Sequence, residues 1–236
     1  MSVHDGHRQR LRGRFLAEGL DGFHQVQVLE MLLFYTIPRK DTNPIAHRLI
    51  DRFGSLSQVL EAPVEELMKE PGITENTAAF LHMITEVGRY YLVNRLTQTT
   101  VLKSLESCAS YMLPYFFGRT VETVFLLCLD SKCKVLCCKE VASGSVNSTS
   151  LSIRNVVSTA LSANASAVML AHNHPGGLAI PSDDDVLTTR RVWEALKAVE
   201  IELVDHIVVV ENDYVSLLQS RLMLYAQSPA QEVSYE

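Results

Sequence analysis

His172 and His174 stand two residues apart at the end of a short apolar run, Ala167 to Ala171, bounded by polar residues. Such a run reads as a buried strand. Side chains at i and i+2 of an extended segment point to the same side, so both imidazoles can face one ion. Pro175, Gly176 and Gly177 then break the strand and begin a loop. Pro181-Ser182-Asp183-Asp184-Asp185 opens a helix, with Ser182 placed as N-cap and Asp185 at the third helical position. A helix starting there can bring Asp185 back beside the histidines, while Asp183 and Asp184 serve as first-turn charge. Two His and one carboxylate leave a tetrahedral Zn2+ one open position for water, the layout of a catalytic site rather than a structural one. A zinc hydrolase also needs a carboxylate that takes a proton from the attacking water and hands it to the leaving amine. Glu122, at the head of one strand-like run, and Glu140, inside the next, both qualify on residue type.

The spacing His-x-His, seven residues, Ser, two residues, Asp, read at His172, His174, Ser182 and Asp185, resembles the ligand pattern of the JAMM (MPN/JAB) metallopeptidases. The longer string HNHP…PSxxD is similar to that of the RadC family, a bacterial branch of that fold. The segment ETVFLLCLD resembles the family's ExFxxLxLD, with Glu122 eight residues before Asp130. Carried over residue by residue, the resemblance implies zinc on His172, His174 and Asp185, with Glu122 rather than Glu140 as general acid/base. It implies Ser182 as the hydrogen-bond donor to a developing oxyanion, and a peptide or isopeptide bond of a peptide or protein substrate as the linkage cut. The fold it implies is a mixed-sheet α/β sandwich of JAMM/MPN type, with a cytidine-deaminase-like layout, preceded by a small all-α helix-hairpin-helix-like domain. Asp205-His206 matches the family's Asp-His. Adjacent strand residues point to opposite faces, so at most one of the two looks toward the metal. Arg154 lies where the family has Pro-Arg-Glu, but its neighbours here are Ile153 and Asn155; Gly176 stands where the family commonly has Ser.

Two other chemistries are disfavoured by the residues. A zinc deaminase needs His-x-Glu followed by Pro-Cys-x-x-Cys, and no Cys lies downstream of Cys138. The tripeptide His172-Asn173-His174 is adjacent, whereas nuclease His-Asn-His residues are spread over a ββα-metal unit. A further reading keeps the fold but not the chemistry: a DNA-associated accessory protein, in keeping with the family's historical DNA-repair label, with a vestigial zinc site.

The elements that must position these residues follow from patterning. Two strands, Val121 to Asp130 and Cys133 to Ala142, are joined by a tight Ser131-Lys132 hairpin, and Gly144 with Ser145 breaks the pattern. Arg154 to Asn164 reads as a helix, then come the histidine strand, a helix from Ser182 to about Val199, a strand from Ile201 to Val210, and a short strand within Tyr214 to Leu218. The order ββαβαββ indicates an α/β sandwich with a mixed sheet. Ser104 to Phe117 opens this domain as a helix. Domain boundaries are expected at 1–98 for the helical part and 103–226 for the α/β part, with 227–236 a frayed tail.

The first domain reads as short helices, with Gly54 closing Ile45 to Phe53. Pro71-Gly72-Ile73-Thr74 between helices resembles a helix-hairpin-helix turn, whose backbone N–H groups can meet a DNA phosphate. Arginines at 8, 10, 12 and 14 offer phosphate contacts or a solvated helix face. Thr74 replaces the usual second Gly and Glu75 adds negative charge, so weak DNA binding or none is expected there, the alternative being a small helical packing or partner-binding domain. The net charge of −6 over 236 residues argues against a dedicated nucleic-acid binder. No apolar run is long enough to span a bilayer, the first residues are not a signal peptide, and five cysteines without a CxxC pair suit a reducing, cytoplasmic setting.

Overall fold

The computed structural model describes residues 3–97, 100–144, 151–211 and 213–220, with side chains from residue 6 onward. The expected tail, 227–236, and Ser145 lie outside the described residues. The chain divides into two compact units, Met1–Gly88 and Arg89–Glu236.

The first unit is helical: α1 (Val3–Glu18), α2 (Gln25–Leu33), α3 (Asn43–Phe53), α4 (Leu56–Glu61), α5 (Val64–Leu67) and the start of α6 (Glu75–Asn94). Its core gathers Leu29, Leu33, Leu49, Val59, Leu67 and Leu81, all fully buried. α3 begins with Pro44 in its first turn and stops at Gly54, whose N–H still bonds the Ile50 carbonyl while its positive φ of 95° turns the chain out of the helix. The turn before α6 also needs glycine: Gly72 has φ 98°, and a Cβ there would lie 3.1 Å from Ile45 Cδ1. Thr74 caps α6, its Oγ1 accepting from Thr77 N–H at 3.3 Å. The basic cluster is partly structural. Arg8 donates to the Phe34, Ile37 and Lys40 carbonyls and lies over the Phe34 ring, and Arg14 donates to the Gly22 carbonyl over Phe23. Arg10 and Arg12 are exposed.

The second unit is a mixed α/β sandwich of the expected class. Its strands β1 (Glu122–Leu129), β2 (Val135–Gly144), β3 (Ala167–Asn173), β4 (Glu202–Val210) and β5 (Asp213–Ser216) form one sheet in the order β2-β1-β3-β4-β5. β3 and β4 are parallel, joined through α9 (Asp183–Lys197); the other neighbours are antiparallel. β1 and β3 lie inside the sheet, and their stretches 124–129 and 167–171 are apolar because both faces are covered. One face, with Val124, Leu126, Leu170 and Val208, packs on α8 (Ile153–Ser162) and α9. The other, with Phe125, Leu127, Met169 and Ile207, packs with residues of α7 (Leu105–Met112) and Phe116.

Three local details differ from the sequence expectation. The β1–β2 connection is wider than a two-residue hairpin: Asp130 Oδ1 accepts from Lys132 N–H and Lys134 N–H, and Cys133 takes φ 58°. Gly144 is the last residue of β2, paired with Glu122, rather than a break. The helix before β1 turns 3-10 over Leu113–Phe116, where Pro114 cannot donate to the helical ladder.

Candidate metal centre

β3 sits between β1 and β4, so its C-terminal end is held from both sides. His172 pairs in register with Val124 of β1 and Val208 of β4, and shares their face, the one packed on α8 and α9. The ladder runs one residue beyond β3, with His174 N–H donating to the Val209 carbonyl at 3.0 Å, so His174 keeps the i+2 relation to His172. His172 is 2% exposed.

Asp185 arrives from the start of α9 by a reciprocal cap. Ser182 Oγ accepts from Asp185 N–H at 3.2 Å, while Asp185 Oδ2 accepts from both Ser182 N–H and Ser182 Oγ–H at 2.7 Å. The capping arrangement thereby fixes the carboxylate and turns its other oxygen toward His172. His172 Nε2 and His174 Nε2 are 2.9 Å apart; Asp185 Oδ1 is 3.2 Å from the first, and Oδ2 is 3.6 Å from the second. Burial pushes the Asp185 carboxyl upward, but His172 and Ser182 beside it outweigh that and hold it well below the usual carboxylate range.

These three residues are a group able to hold a metal ion, with all ligand atoms within 4.8 Å of one another. Ligands at about 2.0–2.1 Å from a tetrahedral zinc lie about 3.3 Å from each other, and the observed separations bracket that value. Two imidazole nitrogens and a carboxylate are also the donor types zinc takes. The residues fit the ion. Ser182 gives its hydroxyl proton to Asp185 in this arrangement, so donation to a substrate oxygen requires turning that proton away from Asp185 by rotation about the Cβ–Oγ bond.

The register separates the two glutamates. Glu122 lies two residues before Val124, hence on the His172 face and at the same end of the sheet. Its carboxylate has no hydrogen bond or ion pair among the described residues. Glu140 pairs with Phe125, on the opposite face, and its Oε2 lies 3.0 Å from Arg119 Nη2, with Arg119 lying over the Phe125 ring. Arg154 is exposed in the first turn of α8.

Two further residues lie behind the cluster: His206, from the Asp205-His206 pair whose metal-facing member the sequence left open, and Thr189, which the sequence reading did not single out. His206 is 3% exposed, and its Nε2 lies 2.8 Å from His172 Nδ1. A bulge after Leu203 puts it there: Leu203 pairs with Val168 but Asp205 pairs with Met169, so the intervening Val204 shifts the alternation and His206 takes the metal face. Asp205 looks the other way, accepting from Ser216 Oγ–H, Leu218 N–H and His206 N–H, and burial pushes its carboxyl up. Thr189, fully buried, lies 2.6 Å from His206 Nδ1. Its spacing of four from Asp185 on a helix was the available signal.

Comparison with known proteins agrees with this geometry. The family model for the RadC-like JAB domain matches residues 102–222, spanning β1 to β5 and the whole cluster. The chain is 31% identical over 225 residues to the UPF0758 protein FN0909 of Fusobacterium nucleatum, covering 92% of this chain and 97% of that one. It is 34% identical over 203 residues to the UPF0758 protein SPO0054 of Ruegeria pomeroyi, covering 86% and 91%. A helical region followed by a JAB/MPN α/β domain with His172, His174 and Asp185 gathered at one sheet end places the chain in the RadC family.

Proposed function

We propose that this protein is a zinc-dependent hydrolase of the JAMM/MPN type that cleaves a peptide or isopeptide bond. The observation that carries the reading is the convergence of His172 Nε2, His174 Nε2 and the Asp185 carboxylate beside a strand end that brings Glu122 to the same face. When bound, zinc supplies Lewis acidity, polarising a carbonyl and lowering the pKa of water. His172, His174 and Asp185 would hold it. Glu122 takes a proton from the attacking water and delivers it to the leaving amine; a carboxylate without a partner among the described residues is available for both transfers. Ser182, once rotated from Asp185, donates its proton to the substrate oxygen on which charge develops. Glu140 has no part, since Arg119 holds it on the far face.

The test compares Glu122→Gln with Glu140→Gln on any peptide-linked substrate the wild type cleaves. Glu122→Gln should keep its zinc and lose hydrolysis by roughly 10²–10⁴, the worth of general acid–base catalysis. Glu140→Gln should stay within a few-fold of wild type. A reversed pattern makes Glu140 the catalytic carboxylate, and indifference to both substitutions removes the mechanism.

A further inference from the structure

The metal-facing atom of a histidine is fixed by what its other nitrogen does, so the contacts behind His172 decide whether it can bind a cation at all. We infer that Thr189, acting through His206, is a positioning residue that forces His172 to present an unprotonated Nε2; this rests on the metal-centre reading above.

Thr189 Oγ1 lies 2.6 Å from the Asp185 carbonyl oxygen and 2.6 Å from His206 Nδ1. A carbonyl only accepts, so the single hydroxyl proton goes to Asp185 and Thr189 Oγ1 must accept from His206. His206 therefore carries its proton on Nδ1. Among the described residues no carboxylate touches the buried His206 ring, so nothing there stabilises a second proton, and Nε2 keeps its lone pair. That lone pair faces His172 Nδ1 at 2.8 Å, which must then be the donor. His172 is left with its free lone pair on Nε2, aimed at His174 and Asp185.

The opposite side of the site obeys the same logic. His174 Nδ1 lies 3.2 Å from the Leu178 carbonyl and donates to it, leaving the His174 Nε2 lone pair facing inward. Two lone pairs 2.9 Å apart beside a carboxylate repel unless a cation lies between them. The chain of proton positions from the Asp185 backbone through Thr189 and His206 thus ends in an atom built to bind a positive charge. It also begins on the backbone of the residue whose side chain is the third ligand, which ties α9, β4 and β3 into one unit at the metal.

Zinc-free wild-type protein gives the first test, by nitrogen-15 NMR of the histidine rings. His206 and His172 should both be the Nδ1–H tautomer; an Nε2–H tautomer at His172 overturns the inference without any variant. The second test is zinc affinity, measured by competition with a chromophoric chelator on the full chain. Thr189→Val removes the oxygen with little change of shape and should weaken zinc binding about 10- to 100-fold, the usual effect of losing a partner behind a ligand. Thr189→Ser should restore it, which a packing role for the methyl group does not predict. Wild-type affinity and tautomers in Thr189→Val contradict the inference. A wild type that binds no zinc sinks the metal reading instead, and the tautomer measurement still decides this one.

Discussion

His206 is a histidine that folding keeps neutral. Burial first, and then the neighbouring His172, push its pKa well below the ordinary value of about 6.5. In the unfolded chain it titrates normally, so below about pH 6.5 the unfolded state binds a proton that the folded state refuses. The stability of the zinc-free protein is then fully present above that pH and is lost as pH falls below it, by up to about 1.4 kcal/mol per pH unit. Asp185 acts in a separate window. Its depressed pKa gives a contribution present above the unfolded value of about 3.9 and lost only as pH falls beneath it. Urea unfolding of chelator-treated protein between pH 7.5 and 5 should show a shallower loss in His206→Gln than in wild type. Equal slopes would mean that His206 titrates alike in both states.

At the scale of elements, the sequence showed what its periodicity controls. The apolar runs of β1 and β3, the Ser182 start of α9 and the order of strands and helices were all readable, because each is set by local patterning or by a cap. The capping pattern Ser182-x-x-Asp185 even placed the third member of the cluster, since the same spacing that closes the cap turns its carboxylate back toward β3. What alternation could not show was the bulges. One at Val204 selects His206 rather than Asp205 for the metal face, and another near Val124 of β1 leaves Glu140 on the far face with Arg119. A bulge costs one unpaired residue and carries no compositional mark, so it emerges only from strand pairing. The arginines of α1 teach the same lesson: Arg8 and Arg14 serve backbone carbonyls within their own unit, leaving Arg10 and Arg12 exposed for any phosphate. With Glu75 in the first turn of α6, the expected outcome is either no DNA binding or weak, sequence-independent binding that fades as salt rises and weakens further on charge reversal at Arg10 and Arg12. Tight, salt-insensitive and sequence-specific binding in a filter or fluorescence assay contradicts it and favours a DNA-associated accessory role.

The whole molecule has a helical unit and an α/β unit, and the α/β unit carries the His172, His174 and Asp185 cluster. The α/β unit is built on two apolar layers, one on each face of its sheet. A domain with that much core does not depend on a metal to fold, in contrast to small zinc modules. Among the described residues no helix is long and apolar enough to cross a membrane. The most direct measurement is zinc content after reconstitution and exhaustive buffer exchange, for wild type, His174→Ala and Asp185→Ala, with circular dichroism on the same samples. The account predicts one zinc per wild-type chain and less than about one-tenth of that in either variant, with secondary structure retained in all three. Full zinc in either variant, or none in the wild type, contradicts it.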